Sequence, residues 1–185
     1  MGLWCSLVAL ELWELSTWVR IPVAPLNASG VGMTVPYYKQ KTPYTCGPAS
    51  FRMALDYMGI KEDENNLARL LETTEYDGTW EKKFPKVAEN YRLNYIVNRN
   101  SSIRDLKALQ DLGYVIILSY YYPKLKVYHY AVLKGIDSKN VYLMDPWVGP
   151  NHKYSIKYFN KIWKTRTHHG KEKKWMFGIM RPSTI

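Results

Sequence analysis

The chain has little cysteine, little phenylalanine and no long apolar run. Only Cys5 and Cys46 stand in 185 residues. So low a count argues against a disulfide framework and for reduced thiols, as in the cytoplasm or at the cytoplasmic face of a membrane. The uncharged run from Gly2 to Leu10 is far too short to span a bilayer. Neither a CxxC pair nor an HExxH pair is present, so neither a structural nor a catalytic metal is expected. No glycine-rich phosphate loop occurs, which excludes ATP binding by that route, and no cofactor is expected. The formal charge is +10, yet no arginine-rich stripe or nucleic-acid motif accompanies it. A solvated, lysine-rich surface is the expectation, without a nucleic-acid partner. Steeply salt-dependent binding that survives Cys46→Ala would reverse that expectation.

What is present is enough for one domain with a real core. Apolar content is 46%, and 16 Tyr with 7 Trp supply side chains that fill cores and line grooves. Residues 1–32 differ from the rest. They hold Trp4, Trp13 and Trp18 and a single basic residue, Arg20, against Glu11 and Glu14. The positive charge therefore lies wholly beyond them, which sets a boundary near Gly32. The segment lacks a basic start and its apolar run is interrupted by acids, so it does not read as a signal peptide. It reads as a non-native leader, with Met33 as the true start, or as an amphipathic helix able to lie on a membrane or on the domain. Residues 33–185 then form the domain.

The body reads as helices first and strands later. Thr34 to Tyr38 is extended. Pro48 sits in the first turn of a helix, Phe51, Leu55 and Met58 recur at helical spacing, and Gly59 ends it. A second helix covers about 62–73. Asp77-Gly78 is a turn, and Thr79 is expected to cap a third helix. A short strand over 94–97 follows, then a helix capped by Ser102 and ended by Gly113. From Tyr114 the period changes. Strands are expected over 114–120, 128–136 and 140–144, a short helix over 155–163 and a last strand over 175–180. This order is that of an α+β fold with an antiparallel sheet.

Chemistry concentrates around Cys46, in QKTPYTCGPAS. A free thiol is mostly protonated at neutral pH and needs activation. A position just before a helix favours thiolate through the helix dipole. His129, in the apolar strand YHYAVLKGI, can act as general base and then as acid. Asp145, in VYLMDPW, ends the next strand and can orient the imidazole. Gln40 can donate its amide N–H to an oxyanion together with the Cys46 backbone N–H. Tyr130, Trp147 and the tyrosines 120–122 are candidates for shaping the groove. Taken singly, each residue has an ordinary structural role: a buried small thiol, a packed histidine, a turn aspartate, a surface glutamine. The combination in this order is what points to a nucleophile. His168 and His169, in a lysine-rich loop, and His152, beside Gly149-Pro150, read as solvated.

These residues resemble the bacteriocin-processing, double-glycine cysteine peptidases and their stand-alone relatives. The resemblance rests on Gln40 and Cys46 in QKTPYTCGPAS, His129 in HYAVLKGID and Asp145 in DPW, and extends over about Val35 to Met180. It implies a papain-like fold and hydrolysis of a peptide or protein substrate, such as a leader or propeptide, through Cys46, His129, Asp145 and Gln40. Two other readings stay open: an acyl transferase or deamidase on the same residues, and a peptide-binding module that is catalytically silent.

Overall fold

The computed structural model describes residues 33–167 and 170–182. Cys5, His168, His169 and the expectations for residues 1–32 lie outside the described residues.

The chain enters along an irregular extended segment, then forms α1 (Cys46–Tyr57), α2 (Glu64–Leu70) and α3 (Phe84–Asn90). Helix α1 is buried almost all round, with Ala49, Phe51, Met53, Ala54 and Leu55 at zero exposure, as befits a central helix. It stops at Gly59, whose φ of +74° suits glycine and lets its N–H reach the Asp56 carbonyl. Helix α2 is shorter than expected. Asp63 caps it by accepting the Asn65 N–H, which fixes its start after residue 62.

Strand β1 (Asn94–Asn98) is followed by α4 (Ile103–Asp111), β2 (Val115–Tyr122), β3 (Val127–Ile136) and β4 (Asn140–Asp145). Ser102 and Asp105 form a capping box on α4. Then come β5 (Gly149–Ser155), α5 (Ile156–Ile162), β6 (Lys164–Thr167), β7 (Gly170–Lys173) and β8 (Met176–Met180). Six strands make one antiparallel sheet in the order β1-β8-β2-β3-β4-β5, while β6 and β7 pair separately. Strand β5 and the β6–β7 ribbon were not expected from the sequence. Both are polar, and β5 opens with Gly149-Pro150, which reads as a turn.

The sheet is covered on both faces. Val115 and Ile117 of β2, Val132 of β3 and Phe177 of β8 join α1–α3 in one core. Ile116, Leu118, Ala131 and Leu143 pack with Leu106 of α4 and with Phe159, Ile162 and Trp163 around α5 in the other. Alternation along each strand feeds the two cores, which explains why β2 reads as an unbroken apolar run. The fold is α+β and papain-like, with one helical layer more than a simple helix-on-sheet reading supplies.

Thr79 does not cap α3. Its hydroxyl meets that of Thr73 at 2.8 Å, and its side chain lies against the start of α1. A Cβ placed on Gly47 would stand 2.5 Å from Thr79 Oγ1 and 2.8 Å from Thr79 Cβ. The short, backbone-rooted threonine cannot swing away, so the 73–80 loop and α1 must part. Gly47→Ala is expected to destabilise the fold by about 1–3 kcal/mol, the usual cost of overpacking, seen as a lower urea midpoint with an unchanged slope.

Candidate active site

The site is built where the first turn of α1 faces the ends of β3 and β4. Residues 42–45 form a tight turn in which the Thr45 hydroxyl accepts the Thr42 N–H at 3.1 Å. That turn delivers Cys46 as the first residue of α1. Cys46 is a free thiol, 7% exposed. Its N–H, at the head of a helix, has no intrahelical acceptor.

His129 is 6% exposed and lies opposite Tyr120 in the β2–β3 register. Its Nε2 is 2.9 Å from Asp145 Oδ1, which leaves Nδ1 for the hydrogen bond with Cys46. Burial alone would push the imidazole down. Hydrogen bonds to Asp145 and Cys46, and the negative charge on both, outweigh burial and raise it to about 10. The Tyr120 ring stands edge-on to the imidazole, with centroids 5.6 Å apart.

Asp145 is fully buried and accepts from five donors. Oδ1 takes His129 Nε2 and the backbone N–H groups of Trp147 and Val148, at 2.8 and 2.9 Å. Oδ2 takes the Tyr120 hydroxyl and His152 Nδ1, the latter at 2.9 Å. Burial would raise its carboxyl. The bonds from His129 and His152 and the imidazolium charge win, and hold it far below the ordinary carboxylate range.

Gln40 is buried, and its backbone N–H donates to the Pro146 carbonyl at 3.0 Å. Its Nε2 donates one hydrogen to the Thr42 carbonyl at 2.7 Å, which leaves the second free. Oε1 is buried without a hydrogen-bond partner among the described residues. Such an open acceptor is costly for stability and is a feature that asks for another explanation.

The structure thus brings Cys46, His129 and Asp145 together, and ties Gln40 by its backbone to Pro146, next to Asp145. Tyr130 lines the main cleft, and Tyr122 and Trp147 line a smaller pocket beside it. Tyr120, in contrast, is fully buried and acts on Asp145 rather than on the groove. His152 is not a solvated side chain. It binds Asp145 and packs at a tilt against Tyr154, ring centroids 4.5 Å apart. Its place follows from β5: His152 is opposite Leu143, two residues from Asp145 on the same strand face. Without β5 that proximity had no signal. Tyr120 was within reach of the sequence, because pairing β2 with β3 sets it beside His129. Among the described residues no group of side chains is arranged to hold a metal ion.

A cleft of about 540 Å³ opens over Cys46 and His129, bounded by Tyr44, residues 75–80 and Lys126–Tyr130. No helix among the described residues is long and apolar enough to cross a membrane.

Residues 33–171 match the sequence model of the Peptidase_C39 like family. No curated protein matches the chain. Among solved structures, the peptidase domain of Streptococcus ComA, a bifunctional ABC transporter of a quorum-sensing pathway, is 18% identical with a TM-score of 0.64. That similarity covers 78% of this chain and 97% of the other. A protein described as a C39-like peptidase from Bacillus anthracis is 17% identical with a TM-score of 0.66, covering 83% and 98%. A double-glycine-motif protease from an AMS/PCAT transporter, solved with its leader peptide, is 22% identical with a TM-score of 0.60, covering 81% and 95%.

Two outcomes follow from the geometry. In wild-type protein the His129 imidazole is expected to stay protonated through neutral pH and to titrate near 10 by NMR. Cys46→Ala, which removes one of the two raising partners, is expected to lower that midpoint. The folded value lies above the ordinary ~6.5, so this proton's stabilisation is complete below about pH 6.5 and is lost as pH rises toward 10. Separately, His152→Ala strips a donor from a buried charge and is expected to cost about 1.5–3 kcal/mol in urea unfolding. His152→Asn, which keeps a donor at that position, is expected to recover part of the loss.

Proposed function

Because the chain belongs to the Peptidase_C39 like family, we propose that it is a cysteine peptidase whose nucleophile is Cys46. One observation carries the reading: a single buried imidazole, His129, is hydrogen-bonded both to Cys46 and to Asp145. The peptidase domain begins at Met33 in this reading.

The steps run as follows. Cys46 and His129 react as a thiolate–imidazolium pair. Sulfur attacks the scissile carbonyl carbon, and the oxyanion takes N–H bonds from the Cys46 backbone and from the free hydrogen on Gln40 Nε2. The tetrahedral adduct collapses as His129 Nδ1 gives its proton to the departing amine, leaving a thioester on Cys46. Water then gives a proton to His129 and adds to the thioester carbonyl. Collapse of the second adduct releases the new carboxyl end and restores the ion pair. Asp145 stays ionised throughout and holds the ring so that Nδ1 faces the sulfur.

The substrate in this reading is a leader peptide or propeptide. Support comes from the AMS/PCAT relative, described in complex with a leader peptide. A working thiol needs reducing conditions, so the assigned compartment is the cytoplasm.

Alkylation tests the nucleophile. A thiol probe is expected to label Cys46 far faster than Cys5, and His129→Ala to slow labelling of Cys46 alone. Equal labelling of both cysteines, unaffected by that substitution, would sink the reading. Against a leader-type peptide, Gln40→Ala is expected to lower kcat by about 10²- to 10³-fold, the scale for loss of one oxyanion donor. Mass spectra of the products separate hydrolysis from acyl transfer.

A further inference from the structure

Next to the main cleft lies a second pocket of about 140 Å³, lined by Pro43, Tyr122, Leu125, Val127, His129, Trp147 and Val148. Four of these apolar residues are unusually open: Leu125, Val127, Trp147 and Val148 are between 42% and 48% exposed. Such a cluster, on a chain whose surface is otherwise rich in lysine, is a binding feature rather than chance exposure. Its volume is close to that of a cavity of about 150 Å³ that takes up one benzene ring.

The two pockets divide the reacting pair unequally. The main cleft is lined by both Cys46 and His129, whereas the small pocket touches His129 and not Cys46. On acylation the carbonyl half of a peptide stays on sulfur, and the amine half leaves with the imidazole's proton. A pocket that adjoins the proton donor but not the nucleophile is on the amine side.

We propose that this pocket binds the side chain of the residue just after the scissile bond, and that a large apolar residue, leucine or phenylalanine in size, is selected there. The assignment rests on the cysteine-peptidase reading. An ammonium group is rejected, because it sheds its water against a mostly apolar wall that carries no acidic side chain. A cation also meets the like charge of the imidazolium. The wall is not free to drift: the Trp147 and Val148 N–H groups are bound to the carboxylate that holds His129. The pocket and the proton donor therefore keep a fixed spacing.

The test is cleavage of a leader-type peptide set by the full chain, varied only at the residue after the cut, with sites read by mass spectrometry. Leucine and phenylalanine are expected to raise kcat/KM at least tenfold over glycine or lysine. In Trp147→Ala that leucine-to-glycine ratio is expected to fall fivefold or more, and in Leu125→Ala by less. Cleavage without apolar preference, or a ratio unmoved in both variants, overturns the inference and leaves the peptidase reading intact. No cleavage of any peptide, with Cys46 inert to alkylation, overturns the reading itself and the inference with it. A wild-type dimer that dissociates in Trp147→Ala while the ratio stays constant makes the pocket a contact between copies, and also overturns it.

Discussion

The carboxylate of Asp145 is the group on which the rest of the site depends. A buried anion without partners is too costly to keep, and its usual fate is protonation. Here five donors converge on two oxygens, and they come from four separate pieces of chain: β2 through Tyr120, β3 through His129, β5 through His152, and the Trp147–Val148 turn. Three of the donors are positioned by three different strands, so the charge is stable only if the sheet is assembled in register. Conversely, the charge fixes that register at the end of the sheet where chemistry is placed. The β-bulge that separates Leu143 from Asp145 in the β4–β5 pairing lies here too, and it re-aims the end of the strand.

The balance of charge then sets the state of His129. Desolvation works against an imidazolium in a nearly closed site, and no single partner need overcome it. Asp145 lies on one side of the ring and Cys46 on the other, so the positive charge has a negative or polarisable neighbour at each nitrogen. The two halves of the molecule contribute differently. The helical half supplies the sulfur and the unbonded N–H groups at the head of α1. The sheet half supplies the imidazole and its support. The cleft is the seam between them, and the contact of Gly47 with Thr79 shows how closely the seam's walls are packed behind the sulfur.

Much of this was legible in the sequence because it is local. The α1 signals, Pro48 inside and Gly59 beyond, lie within a few residues of the elements they fix. So does the capping pair Ser102 and Asp105. The strands β2 to β4 announce themselves by apolar runs and a short turn, and their order makes His129 and Asp145 neighbours before any coordinates are seen. What escaped was set by long-range pairing. Strand β5 has polar side chains and a Gly-Pro start, and it is a strand only because β4 offers it an edge. His152 was lost with it. Thr79 carries a good cap side chain, yet its hydroxyl goes to Thr73 instead, because tertiary packing against Gly47 outweighs a local preference.

The arrangement also ties the small pocket to the His129 ring. Asp145 Oδ1 holds three things at once: the His129 ring, and the two backbone N–H groups of the turn that presents Trp147 and Val148. A change of side chain on the turn alters the shape of the small pocket but leaves those N–H groups in place. A change that moves the turn's backbone, such as a proline at 147 or 148, removes a donor from the carboxylate and loosens the ring. Side-chain variation at 147 and 148 can therefore reshape the small pocket without disturbing the imidazole, whereas backbone variation there cannot.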